Sequence, residues 1–192
     1  MSVWAETLFL VVRVKGMKST SKITLSAIMA ALATAFMLLS YFPYLTYAIP
    51  AIAGLAIMVL VIEINKKWAL LAYITASVLV ALFAEPESKL MFIGFFGYYP
   101  ILKAILDGIR NNILSWGIKI VFFNIAVIII YMLFAKPFGI SLEDFGTFGK
   151  YGAFILLGFG NIVFVLYDIT VSRMAMFYMS TLHSKIYKFI KR

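Results

Sequence analysis

Glu85 and Glu87, two residues apart around Pro86, are the nearest thing in the chain to a carboxylate pair able to perform general acid–base chemistry. They fall in a short polar connection, where solvated surface charge is the commoner arrangement. The 192 residues contain one histidine, His183, near the end, and no cysteine. They therefore offer no Ser/His dyad within the apolar segments, no HExxH motif, no thiol nucleophile and no glycine loop to cradle a nucleotide. No catalytic set, no metal site and no cofactor are expected, and the chain does not read as an enzyme. It does offer a set suited to binding. Tyr41, Phe42, Tyr44 and Tyr47, the acidic pair with Lys89, and Phe95, Phe96, Tyr98 and Tyr99 recur at positions that could converge at one end of a bundle. Aromatic walls with a few polar groups hold flat heterocyclic molecules. The same tyrosines would equally serve as an aromatic belt at the level of lipid headgroups.

The elements that must position these residues are helices in a membrane. The chain is 64% apolar and 13% charged, with a mean hydropathy of +1.02, more apolar surface than a soluble domain of this size could bury. A span needs roughly twenty apolar residues, and six stretches qualify: 23–42, 48–64, 68–84, 90–109, 114–135 and 151–170. The expected fold is an all-α integral membrane protein with six transmembrane helices over residues 17–175. A short segment, 1–16, precedes it, too short to span and interrupted by Glu6. It reads either as an interfacial helix or as residues ahead of a second start at Met17. A basic tail, 176–192, follows as a helical extension of the last span. Pro50 sits in the first turns of the second span, where its missing N–H costs little. Gly94, Gly97 and Pro100 predict a break in the fourth. The longest connection, 136–150, carries glycines and Asp144 and could be a lid or a linker.

Charge supplies the orientation. The net charge is +9, and with six spans and both ends in the cytoplasm only Lys89, Lys136 and Lys150 of the seventeen basic residues lie outside. That asymmetry is what the positive-inside rule demands, so the expected location is the cell membrane and the expected electrostatic partner is anionic lipid, with no nucleic acid. Lys103, Asp107 and Lys119 fall near inner span ends, where snorkelling or a Lys103–Asp107 pair one turn apart accounts for them. Asp168 is expected to meet Arg173 or a neighbouring loop. Asn124 and Asn161 are the mid-span polar residues and read as helix–helix glue. With no charge placed deep in a span, a self-powered pump is not expected.

The first span carries Ala27, Ala31 and Ala35 at a spacing of four, with Ser26 and Ala30 beside them, a flat ridge for another helix or an ordinary packing face. Six spans in under two hundred residues, both ends cytoplasmic, this ridge, and no energising machinery together resemble the substrate-binding S component of energy-coupling factor (ECF) vitamin and micronutrient transporters. The resemblance is architectural and covers nearly the whole chain. It implies that Ala27, Ala31 and Ala35, with Ala30 widening the face, dock on a transmembrane T subunit and through it on two ATPase subunits. It also implies a pocket near the extracellular side built from Tyr44, Tyr47, Glu85, Glu87, Tyr98, Tyr99 and Asn161, holding a small aromatic or heterocyclic micronutrient. The histidine-bearing N-terminus of the nickel and cobalt branch is missing. The alternative is a small membrane scaffold or assembly factor with no metabolite ligand; a lipid-modifying enzyme is disfavoured by the missing motifs.

Overall fold

The computed structural model describes residues 17–42, 44–132 and 152–183. The segment 1–16, the connection with Asp144 and most of the basic tail lie outside them. Among the described residues every regular element is helical: α1 (Ser19–Leu38), α2 (Ile49–Glu63), α3 (Lys66–Phe83), α4 (Pro86–Met91), α5 (Tyr99–Leu106), α6 (Asn112–Ile130) and α7 (Gly152–Thr181). Among the described residues five helical stretches are long and apolar enough to cross a membrane: Ser19–Tyr41, Lys66–Phe83, Pro86–Leu106, Asn112–Ile130 and Leu157–Thr181. This is the make-up of a multi-pass, all-α membrane protein.

The second expected span is short. With 15 residues α2 is about 22 Å long, short of a hydrocarbon layer of about 30 Å. It is the interior helix, with eleven of those residues buried. A helix apolar on every side needs neighbours all round, and α2 has them. On one flank Ala53, Ile57 and Leu60 join Ala30, Ala33 and Met37 of α1 and Ala69, Ala72, Ala76 and Val80 of α3 in a first core. On the other, Met58 and Ile62 join Phe95, Tyr99, Ala126 of α6, and Phe164, Tyr167, Val171, Ala175 and Tyr178 of α7 in a second.

Local chemistry sets the helix ends. Asn65 accepts the Trp68 N–H and caps α3, Asn111 accepts from the N–H groups of Ile113 and Leu114 and caps α6, and Glu85 accepts the Ser88 N–H and caps α4. The break expected around Gly97 and Pro100 is present: Phe92–Phe96 form a widened π-type turn, closed by Gly97 N–H on the Phe92 carbonyl at 2.8 Å, and Pro100 then sits in the first turn of α5. α7 runs unbroken through residue 175, and Tyr178 beyond it is a buried core residue. The start of the expected tail is thus packed helix.

Candidate functional site

Four charged side chains meet inside the bundle. α5 carries Lys103, Asp107 one turn on closes that helix, α6 supplies Lys119 and α7 supplies Asp168. Asp168 Oδ1 accepts from Lys103 Nζ at 2.7 Å, lies 3.3 Å from Lys119 Nζ, and accepts the Tyr99 hydroxyl. Lys119 also donates to Asp107 Oδ1. Asp107 Oδ2 lies 3.1 Å from Lys103 Nζ but out of hydrogen-bond alignment, and makes no hydrogen bond. Lys103 and Lys119 are 2% and 3% exposed, so neither snorkels, and Asp168 pairs with these lysines rather than with exposed Arg173. Burial explains the grouping. An isolated charge in a medium of low dielectric is very costly, whereas two lysines and two aspartates sum to zero and satisfy one another.

The network sits against a layer of rings. The Tyr99 ring centroid is 4.9 Å from Phe95, 5.3 Å from Phe164 and 5.5 Å from Tyr167. Phe123 of α6 closes the layer by stacking on Phe164 at 4.8 Å with an interplanar angle of 11°. Gly54 of α2 lets the layer come close: a Cβ there would lie 2.5 Å from the Phe96 carbonyl oxygen.

A second buried acid lies at the end of α2. Glu63 is fully enclosed; its Oε1 accepts the Tyr178 hydroxyl at 2.6 Å and is 2.8 Å from His183 Nδ1, while Oε2 has no hydrogen bond among the described residues. This ties the end of α2 to the end of α7. The clue in the sequence was the sole histidine and one acid closing an otherwise apolar helix. For the four-charge network it was the balance of two lysines and two aspartates inside apolar windows.

The outer set expected from the sequence divides into two groups. At the rim, Tyr47 donates to Glu87 Oε2 at 3.1 Å, and Ser88 Oγ lies 2.9 Å from both the Thr46 carbonyl and Glu85 Oε2, joining the α1–α2 connection to the start of α4. The hydrogen bond to Glu87, followed by that carboxylate's charge, raises the pKa of Tyr47. Partial burial works to raise that of Glu85, but the bonds from Ser88, the Glu87 N–H and the charge of Lys89 together outweigh it and leave it below the ordinary carboxylate value. The Glu85 cap is therefore charged at neutral pH and is lost only as pH falls through that lowered value. Tyr44 has a backbone φ of 70° and is 96% exposed, away from the others.

The remaining residues lie inside. Tyr98 is half-buried edge-on to Tyr73 and Phe95. Tyr99 is not at the rim: it is fully buried and committed to Asp168. Asn161 faces Asn124, the two amides exchanging hydrogen bonds at 3.0 and 3.1 Å between α7 and α6, a contact of the kind that joins membrane helices.

The alanines of α1 also divide. Ala27, Ala31 and Ala35 are exposed along one stripe, whereas Ala30 is 3% exposed and belongs to the core with Leu25, Ala33 and Met37. Ala30 is turned about 100° from Ala31 and cannot widen the outward ridge. No protein-family model matches this chain, and no curated protein and no solved structure matches it.

Proposed function

We propose that the chain is the substrate-capture S subunit of an ECF-type importer, with six spans, α2 included, and both termini in the cytoplasm. It takes a small aromatic or heterocyclic micronutrient from the outside and docks on a T subunit driven by two ATPases. The supporting observation is the direction of the alanine stripe: Ala27, Ala31 and Ala35 are exposed on a helix whose opposite face is core. Lipid has no need of a flat small-residue ridge, but a second helix does, because small side chains let two backbones approach closely. The exposed pair Tyr47–Glu87 is the part of the expected ligand set that supports capture.

The test is a double substitution. Ala31→Phe with Ala35→Phe is expected to abolish co-purification with a co-expressed T subunit while leaving thermal unfolding of the isolated chain unchanged, because both positions are exposed. Full retention of the T subunit would remove the ridge from the mechanism.

One observation favours the scaffold reading. Tyr99 and Asn161, both expected to touch ligand, are engaged by protein partners, and Phe95, Phe123 and Phe164 pack directly on one another. Mass spectrometry of molecules released from gently purified protein separates the two. A stoichiometric aromatic compound supports capture; consistent absence, with no thermal shift against a vitamin panel, supports the scaffold.

A further inference from the structure

α6 is held to the bundle in an unusual way. Among its residues only Ser115, Lys119 and Ala126 are buried, while Ile113, Leu114, Val121, Ile125 and Ile129 are exposed. In a bilayer such apolar faces gain nothing by leaving lipid for protein, so attachment depends on polar contacts and close packing. Among the described residues, three polar contacts that join α6 to neighbouring helices lie in a row. Ser115 Oγ donates to the Leu106 carbonyl at 2.9 Å, Lys119 pairs with Asp107 and Asp168, and Asn124 exchanges amide bonds with Asn161. Beside them Phe123 covers Phe164 and Phe95, with centroids 4.8 and 5.2 Å apart.

We propose that α6 is a hinged wall with Lys119 as its latch, and that releasing the latch swings α6 outward and uncovers the aromatic layer of Phe95 and Phe164 to the bilayer. The charges make the latch. Lys103 remains on Asp168 and close to Asp107 when α6 departs, but the separation leaves one negative charge uncompensated there and Lys119 without a counter-charge, which is what holds α6 in place. Removing Lys119 alone strands one negative charge; removing Lys119 and Asp107 together leaves the neutral Lys103–Asp168 pair with its Tyr99 hydrogen bond. That double variant removes the latch and preserves charge balance. The proposal is independent of the alanine ridge and of any T subunit.

The chain contains no cysteine, so introduced cysteines are the only labelling sites. Spin labels at Val78→Cys on α3 and Val121→Cys on α6, positions 58% and 56% exposed, report the position of α6 in the full-length chain in lipid nanodiscs. A second pair, Val78→Cys with Ile162→Cys on α7, 61% exposed, reports the rest of the bundle. In the Lys119→Met/Asp107→Asn background the α3–α6 distance distribution is expected to gain a population longer by about 5 Å, one helical pitch, with the α3–α7 distribution unchanged. Asn124→Leu, which breaks the amide pair and leaves every charge, should shift the same distance in the same direction. An unchanged α3–α6 distribution in both backgrounds would overturn the hinge. So would equal broadening of both label pairs, since the network would then be holding the whole bundle rather than one wall of it.

Discussion

Replacing Asp168 with alanine is expected to destabilise the bundle by about 3–5 kcal/mol, the usual cost of removing one partner from a buried ionic group. Asp168 is 3% exposed and serves Lys103, Lys119 and the Tyr99 hydroxyl at once. Without it, Asp107 alone faces two buried lysines, a net positive charge is enclosed, and the tyrosine hydroxyl loses its acceptor. The measurement is unfolding in mixed micelles with increasing dodecyl sulfate, followed by helical circular dichroism. A charge-balanced comparison shows whether the cost comes from the uncompensated charge. Asp168→Leu combined with Lys103→Met leaves the Lys119–Asp107 pair neutral, and should lose much less than the single change, because replacing a buried pair by apolar residues of similar volume is often neutral. A single variant as stable as the parent would mean that these charges are hydrated, not enclosed.

Gly54→Ala is expected to cost about 1–3 kcal/mol through overpacking, although alanine is the better helix former by about 1 kcal/mol. The added methyl group would stand 2.5 Å from the Phe96 carbonyl oxygen and 2.9 Å from the Tyr167 hydroxyl. The tyrosine tip can move, at the expense of its 3.4 Å bond to that carbonyl. The carbonyl belongs to the backbone of the π-type turn and cannot move without shifting the aromatic layer. Gly158→Ala is the control. Among the described residues nothing lies within 4 Å of a Cβ at that position, so helix propensity acts and the substitution should be neutral or stabilising. The same unfolding assay reads both, and equal effects would mean that α2 does not approach the π-type turn as closely as described.

These effects concern residues whose local character was legible and whose partners were not. The break before Pro100 follows from glycines and an imino acid acting on their own backbone, and the caps at Asn65 and Asn111 follow from side chains reaching two or three residues along the chain. Lys103 and Asp107 at a spacing of four are likewise neighbours on any helix. Asp168 is different. Its partners are Lys103, 65 residues away, and Lys119 on another helix, instead of nearby Arg173. Nothing local distinguishes those outcomes. Snorkelling is available to a lysine only if its helix turns that side toward the interface, and packing decides the turn.

The alanine stripe and α2 show the same division. Ala27, Ala31 and Ala35 must share a face because a spacing of four brings side chains into line on any α-helix. Whether that face looks outward, and whether Ala30 looks with it, depends on rotation about the axis, which a helix apolar on all sides does not encode. α2 reads as a span by composition, and its place inside the bundle is set by the two half-cores that close on it. By itself, then, the sequence determined the helices, their ends and the break at the π-type turn, since these depend on hydropathy and hydrogen bonding over a few consecutive residues. Only the tertiary structure decided that four charges form one neutral network and that Asn124 of α6 meets Asn161 of α7. Those outcomes depend on the relative rotation and depth of helices far apart in the chain, where the cost of an unpaired buried charge selects the partner.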